Sequence, residues 1–437
     1  MSETIFALSS GALPSGVAII RLSGCNAQAV AQKMCGFTPL AAKLRLADLC
    51  EPDSGMVLDR ALVCGFVGPH SYTGEDVVEF HCHGGRATVA SLLKVLARQE
   101  GCRLAEPGEF SRRAFENEKM DLTALEGLSD LIAADTEAQR KLALRQSGGD
   151  LRELYDGWRS ELVRVRALIE AELDFSDEED IPDSVSDQVW ETVEGLVHSI
   201  GCHLDDGRAG EIVRDGYRIA LLGPPNAGKS SLLNALTHRD VAIVTPIAGT
   251  TRDTIDVDLD ISGYKVIVTD TAGLRATDDI IEQEGIRRAE KAALAADLVL
   301  WLHPPGQTET TGCPEGAVIV FTKSDLPEFE TPSDKFREAL IINTIDAKGL
   351  DPLLALVADQ VSNVSPQVSN SLVTRQRHRS SLTECVNCLS ESLDKRSRLD
   401  VGSELLRQAS DSLGRITGRV DVEDLLDVIF AEFCVGK

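Results

Sequence analysis

The sequence lacks any apolar run approaching the roughly 18 residues that a membrane-spanning helix needs. Its start, residues 1–11, carries no basic patch followed by a long apolar stretch, so an unexported, soluble, cytoplasmic chain is expected. Positive charge is scarce: 44 lysines and arginines face 70 aspartates and glutamates, and the formal charge of −26 repels phosphate backbones. Any nucleic acid must then be gripped locally or through a partner. Framework spacing is missing from the eleven cysteines, whose odd number argues against a disulfide scaffold and for free thiols in reducing surroundings. Cys385 and Cys388 form a lone C-x-x-C, but three-residue spacing in a helical stretch also simply places both on one face. No internal repeat is found.

What is present fills about three domains of ordinary size. Residues 1–118 mix short β-like runs, such as 17–22 and 77–82, with a helical pattern near 87–98, as a compact α/β or α+β unit would. From residue 121 to about 174 apolar side chains recur at three- and four-residue spacing, with few glycines or prolines, and the pattern resumes to about 204. The acidic stretch 174–180 between them reads as a solvated turn. Two polar segments, 205–216 and 363–371 with Pro366, read as linkers around an α/β block. Residues 372–433 turn helical again. The expected fold class is multidomain α/β and all-α: an N-terminal domain over 1–118, a helical domain in two segments (119–210 and 366–437), and an inserted nucleotide domain over 211–365.

The inserted block carries chemistry. A buried-strand pattern over 217–222 leads into Gly223-Pro224-Pro225-Asn226-Ala227-Gly228-Lys229-Ser230 and then the helix-like Ser231 onward. Strand, glycine-rich loop and helix in that order make a P-loop, whose backbone N–H groups cradle phosphates while Lys229 reaches the β and γ groups. Ser230 offers a hydroxyl to Mg²⁺, and Thr251 and Asp270 are candidates for further contacts. Asp270-Thr271-Ala272-Gly273 ends a strand-like run, where Gly273 would let the backbone approach the γ-phosphate. Gly249-Thr250-Thr251-Arg252-Asp253 lies between the two, as a switch loop should. Thr322-Lys323-Ser324-Asp325 follows the strand-like 318–321. Asp325 can accept from both guanine N1–H and its amino group, so GTP is expected. GTPases usually have Asn where Thr322 stands, and Asp346-Ala347-Lys348 occupies the place of a Ser-Ala-Lys loop.

Hydrolysis needs a group to position water, yet Leu274 stands where Ras-like proteins carry Gln. Asp278, Asp279, Glu282 and Glu284 follow in the switch and are equal candidates on the residues alone. No arginine finger is evident, although Arg252 and Arg275 lie in the switches.

The flanks narrow the reading. Residues 16–24 (Gly-Val-Ala-Ile-Ile-Arg-Leu-Ser-Gly), 71–85 (Ser-Tyr-Thr-Gly-Glu-Asp through His-Cys-His-Gly-Gly), 107–115, 119–122 and the terminal Phe433-Cys434-Val435-Gly436-Lys437 closely resemble the MnmE (TrmE) family of tRNA-modification GTPases. The likeness spans nearly the whole chain, departing at residues 11–16, where the family loop is richer in Gly and Arg. It implies Glu282 as the water-orienting residue. It further implies a K⁺ ion at the β,γ bridge held by Asn226, Thr245, Ile247 and Thr250, with nucleotide contacts along Asn226 to Ser231 (Ala227, Gly228, Lys229 and Ser230 among them) and Thr245, Pro246, Ile247, Ala248, Gly249, Thr250 and Thr251. The nucleotide domains would pair face to face. The N-terminal domain would dimerise and bind 5-formyltetrahydrofolate or a related one-carbon folate through Arg21, Glu79, Lys119 and Lys437. Glu79 can accept from the pterin, and the cations can meet its polar edge or acidic tail. Glu79, His81 and His83 alternate along a strand, which would suit a metal, but hydrogen bonding or packing near the folate pocket is the favoured reading of the two histidines, and Cys434 is a candidate reactive thiol or a packed one.

The function so implied is GTP hydrolysis that drives conformational change in a complex installing an aminomethyl-type group at C5 of the wobble uridine of certain tRNAs. A MnmG (GidA)-type partner using FAD and NADH is implied, with folate supplying the carbon. A ribosome-assembly GTPase is a rival that predicts a basic tail, where this chain has Glu423, Asp424, Asp427 and Glu432. A stand-alone folate methyltransferase with an accessory GTPase would need its own acceptor site.

Overall fold

The structure, a computed structural model, describes all residues except 1–2, 40, 175–183, 240, 244–254, 271–290, 306–311, 330–335, 337–338, 347, 369–372, 421–425, 427–428, 431–435 and 437. The chain divides into two compact units, Met1–Ser129 with Leu151–Arg159 and Leu413–Lys437, and Asp130–Asp150 with Ser160–Ser412.

In the first unit strands β1 (Thr4–Leu8), β2 (Ser15–Ser23), β3 (Arg45–Cys50), β4 (Val57–Phe66), β5 (Val77–Gly84) and β6 (Cys102–Leu104) form one sheet in the order β3-β4-β5-β2-β1-β6. Neighbours are antiparallel except β1 and β6. Side chains alternate across a strand. Ala18, Ile20 and Leu22 of β2 and Val78, Phe80 and Cys82 of β5 therefore share one face, buried with Val30 and Met34 of α1 (Ala27–Cys35) and Leu92 of α2 (Arg86–Leu96). Phe110 of α3 (Glu109–Glu116) packs with Ile5 and Ala7 of β1. Arg113 of the same helix is 7% exposed, and its guanidinium donates to Glu75 at 2.8 Å, Glu109 at 3.1 Å and the Glu3 carbonyl at 2.9 Å. A buried charge so paired holds the helix to the chain around it.

Helices α4 (Leu122–Ala133), α5 (Glu137–Ser147) and α6 (Asp150–Asp174) follow, as the apolar spacing predicts. Asp121 caps α4 by accepting from the Ala124 N–H at 2.7 Å, and Thr136 with Gln139 closes a capping box on α5. Helix α7 (Ser184–Asp215) corrects the sequence reading, because the segment expected as a linker over 205–216 is helical almost to its end. His203, Ala209 and Val213 are buried along it, and a Cβ added to Gly207 would lie 3.1 Å from that of Val373. That glycine permits close packing rather than a bend. The acidic stretch 174–180 lies almost wholly outside the described residues.

The second sheet comprises β7 (Tyr217–Leu222), β8 (Ile255–Ile261), β9 (Tyr264–Asp270), β10 (Leu298–His303), β11 (Val318–Phe321) and β12 (Leu340–Ile341), ordered β12-β11-β10-β7-β9-β8. All neighbours are parallel except β8 and β9. Helices α8 (Lys229–Thr237) and α9 (Asp351–Val368) pack on it through Leu232, Leu236, Leu353 and Val357. Helix α9 runs through Pro366 to Val368, so the second expected linker is also helical over most of its length. Helices α10 (Gln376–Asp394) and α11 (Leu399–Thr417) complete the described elements. Cys385 of α10 is fully buried, and burial pushes its thiol up to about 12, while Cys388 points to Gln408. Asp130 accepts from Arg375 at 2.8 Å and Arg214 at 3.2 Å, and Lys265 reaches Asp135 and Asp258, both at 2.9 Å. These pairs tie β9 and the ends of α4, α7 and α10 together within the unit.

Candidate functional site

Strand β7 lies between β10 and β9, so the chain order reverses there and a crevice opens beyond its carboxyl end. The P-loop leaves β7 into this crevice. Gly223 has φ +140°, and a Cβ on it would sit 2.4 Å from the Leu302 carbonyl oxygen, so only glycine lets the loop lie against β10. Lys229, 9% exposed at the start of α8, donates to the carbonyls of Gly223 at 2.6 Å and Pro224 at 3.0 Å. Burial lowers its pKa, and Asp270 opposes that shift. Ser230 Oγ donates to Asp270 Oδ2 at 3.1 Å. Asp270, 1% exposed at the end of β9, is thus next to the hydroxyl with which it would share Mg²⁺. The pair provides hard oxygen donors beside a helix N-terminus, chemistry that suits a metal-bound polyphosphate.

Thr322 is the position where structure sharpens the sequence reading. Its hydroxyl is buried and donates to the Ala227 carbonyl at 2.7 Å, while its backbone N–H donates to His303. The residue therefore braces the turn that follows β11 against the P-loop. Replacing it by valine keeps the shape but leaves a buried carbonyl unpaired, which costs about 1–3 kcal/mol. The Thr322→Val variant is expected to bind GDP about tenfold more weakly than the parent, as read by nucleotide titration. An unchanged affinity would remove the bracing role.

Lys323 takes φ +58° and Asp325 is exposed at the turn. Asp346 is held by a residue the sequence reading missed: Asn343 Oδ1 accepts from the Asp346 N–H at 2.8 Å, and Asn343 Nδ2 donates to Asp346 Oδ2 at 2.9 Å. An Asn three residues before the loop is the signal that could have found it, since Asn side chains organise turns in this way. Lys348 is exposed beyond it. Asn226, with φ +63°, Ala227, Gly228 and Ser231 occupy the loop and first turn. Thr245, Pro246, Ile247, Ala248, Gly249, Thr250, Thr251, Thr271, Ala272, Gly273, Glu282 and Ala347 lie outside the described residues.

In the other unit, Arg21 of β2 faces Glu79 of β5 in register, and Arg21 Nε donates to Glu79 Oε1 at 2.9 Å. The guanidinium also lies over Tyr72, 5.3 Å from the ring centre, and Phe110, at 5.7 Å. Tyr72 bonds Ser111 at 2.9 Å, and burial raises its pKa. His81 Nε2 lies 3.2 Å from Glu79 Oε2, whereas His83 Nδ1 lies 2.8 Å from Asp59 Oδ1, so the alternating trio divides between two carboxylates. Lys119 extends to the Pro69 carbonyl at 2.8 Å. Arg21 and Glu79 are brought together, then, with Arg21 resting on Tyr72 and the fully buried Phe110, neither of which the sequence reading singled out. Lys437 and Cys434 lie outside the described residues.

Two family models match this chain: the GTP-binding protein TrmE N-terminus over residues 4–119, and the MnmE helical domain over residues 122–434. The tRNA modification GTPase MnmE of Agrobacterium fabrum is 50% identical over 444 residues, covering 100% of this chain and 99% of its own. That of Rhizobium etli is 49% identical over 441 residues, with the same coverage. Among solved structures, Aquifex aeolicus Era in complex with GDP and an aluminium fluoride is 24% identical over 32% of this chain and 56% of its own, with a TM-score of 0.24. The G domain of the T. maritima FeoB iron transporter is 21% identical over 34% of this chain and 98% of its own, with a TM-score of 0.23. Likenesses that low add nothing about function. Half the residues are identical over the full length of the curated relatives, and both family models fit in order, so the chain belongs to the MnmE (TrmE) family of tRNA modification GTPases.

Proposed function

We propose that this chain hydrolyses GTP with Mg²⁺ and K⁺ and that the resulting conformational cycle drives a complex modifying C5 of the wobble uridine of tRNA with a (carboxymethyl)aminomethyl-type group. The reading rests on one conjunction: Lys229, Ser230 and Asp270 gather at the carboxyl end of β7 in a chain matching tRNA modification GTPases along its whole length. Ser230 and Thr251 would hold Mg²⁺ and Lys229 the β and γ phosphates. Asp325 would select guanine, with Lys323, Asp346, Ala347 and Lys348 lining the base. Asn226, Thr245, Ile247 and Thr250 would hold K⁺, which supplies the positive charge that an arginine finger gives elsewhere. Glu282 would orient the attacking water.

Arg21 and Glu79, with Lys119 and Lys437, would hold a one-carbon folate such as 5-formyltetrahydrofolate. The Arg21–Glu79 pair beside the half-buried Tyr72 supports this, because a flat polar heterocycle needs donors, acceptors and aromatic contact together. The domains would be those read from sequence, over 1–118, 119–210, 211–365 and 366–437. A homodimer, a MnmG-type FAD-dependent partner and a cytoplasmic setting complete the proposal.

GTP turnover in KCl against NaCl at equal ionic strength, with the Glu282→Ala variant alongside, tests it. We expect K⁺ stimulation in the parent and a loss of about a hundredfold in the variant, the lower range for a positioned acid or base. Equal rates in both salts would remove the potassium mechanism, and an unaffected variant would move the water-orienting role elsewhere.

A further inference from the structure

Two residues that line one cleft in the first unit each carry a buried polar atom without a hydrogen-bond partner. The atoms are Arg159 Nε and Asp121 Oδ2. Buried polar groups are nearly always bonded, so two orphans of opposite kind on shared walls call for a common explanation. The cleft measures about 620 Å³, and Arg152 and Arg419 line it as well.

The charges there are unevenly satisfied. Arg419 donates to Asp156 at 2.7 Å, and Arg152 lies 3.7 Å from the same carboxylate. Asp121 spends its other oxygen on the cap of α4, accepting from Ala124 and Thr123. Arg152 Nε is 3.8 Å from Asp121 Oδ2, an ion pair but too long for a hydrogen bond. Arg159 has no carboxylate partner among the described residues, and a guanidinium buried at its stem without a counter-ion is costly unless an anion is supplied. Glu116 and Glu118 also line the cleft but are exposed, and Glu116 lies 3.6 Å from Arg112.

A ligand that satisfies these walls carries an anion for Arg159, a hydroxyl or N–H donor for Asp121 Oδ2, and a flat or apolar part for Phe115 and Met120. A single phosphate is too small for the space and brings no flat or apolar part for Phe115 and Met120. A ribonucleotide segment has all three parts: phosphodiester, 2′-hydroxyl and base. The geometry points to this cleft as a local RNA-backbone site, with Arg159 on a phosphate and Asp121 on a ribose hydroxyl. The inference rests on the tRNA-modification reading for its choice of RNA. In a chain with a formal charge of −26, such a site has to be a confined cluster of guanidinium groups rather than a basic face.

Fluorescence anisotropy of labelled unmodified tRNA on the full-length chain, titrated between about 50 and 200 mM salt, tests it. Arg159→Ala is expected to weaken binding about tenfold at the low end and to reduce the slope of log affinity against log salt by about one. Arg159→Lys should restore the slope, and Arg159→Gln serves if the alanine variant does not fold. GTP turnover should be unchanged in each. An RNA stem-loop should bind more tightly than its all-deoxy copy, and equal binding would overturn the Asp121 contact. Affinity and slope unchanged in Arg159→Ala would overturn the site. Absence of tRNA binding by the parent chain would also overturn it, yet would leave the modification reading standing, since tRNA could be held by the partner. That reading is checked separately by nucleoside analysis of tRNA from cells lacking this protein.

Discussion

The Asp325→Asn variant is expected to lose affinity for GTP by about a thousandfold and to gain affinity for xanthosine triphosphate. A carboxylate accepts from guanine N1–H and from the 2-amino group at once. An asparagine offers one acceptor and one donor, so its amide N–H would meet the 2-amino group and leave both unpaired in a closing site. Xanthine carries a carbonyl where guanine carries that amine, so the amide suits it on both edges. The structure supplies the rigidity that such discrimination needs. Thr322 is pinned to Ala227 at 2.7 Å, Lys323 turns the chain through φ +58°, and Ser324 N–H bonds the Ile342 carbonyl at 3.3 Å, which fixes the turn that presents Asp325. Competition of GTP and xanthosine triphosphate against a labelled guanine nucleotide reads the exchange. An intact preference for guanine would assign base recognition to another residue.

Local patterns were legible in the sequence, and contacts between distant segments were not. Residues 217–222 and 318–321 read as strands because apolar runs bounded by turn residues have few alternatives, and they are β7 and β11. The P-loop was legible because strand, loop and helix adjoin along the chain. Arg21 and Glu79 could be named only through resemblance. Their pairing depends on the register of β2 against β5, set 58 residues apart by the alternation of both strands. Thr322 stood out only as a threonine where GTPases usually have Asn. Its bond to Ala227, 95 residues away, depends on β11 and β7 lying either side of β10 in one sheet.

The misread linker over 205–216 has a physical cause. Segment 205–216 contains Gly207 and Gly210 among polar residues, a composition that in isolation favours a loop. Helix propensity is a weak prior that packing overrides, and here Val213 and Ala209 are buried while Gly207 approaches Val373. Arg379 completes the attachment by donating to Glu211 at 2.9 Å. Polar composition marked the exposed side of a helix whose other side meets α10.

Replacing Lys229 by alanine is expected to lower GTP turnover by about a thousandfold, while GDP affinity falls far less. The side chain rests on the carbonyls of Gly223 and Pro224, folded back over its own loop, with its ammonium held by backbone oxygens in a 9% exposed setting. Burial has lowered its pKa, so the charge is under-solvated and would gain from a polyanion entering the loop. As charge moves onto the β,γ bridge oxygen during hydrolysis, an ammonium fixed in a poorly solvated site stabilises the transition state more than the bound nucleotide. The diagnostic is therefore the split between turnover and binding, not the loss alone. Turnover falling much further than GDP affinity identifies a contact made chiefly at the transferring phosphate. Equal losses in both would instead assign Lys229 to uniform nucleotide binding and leave transition-state charge to the metal ions.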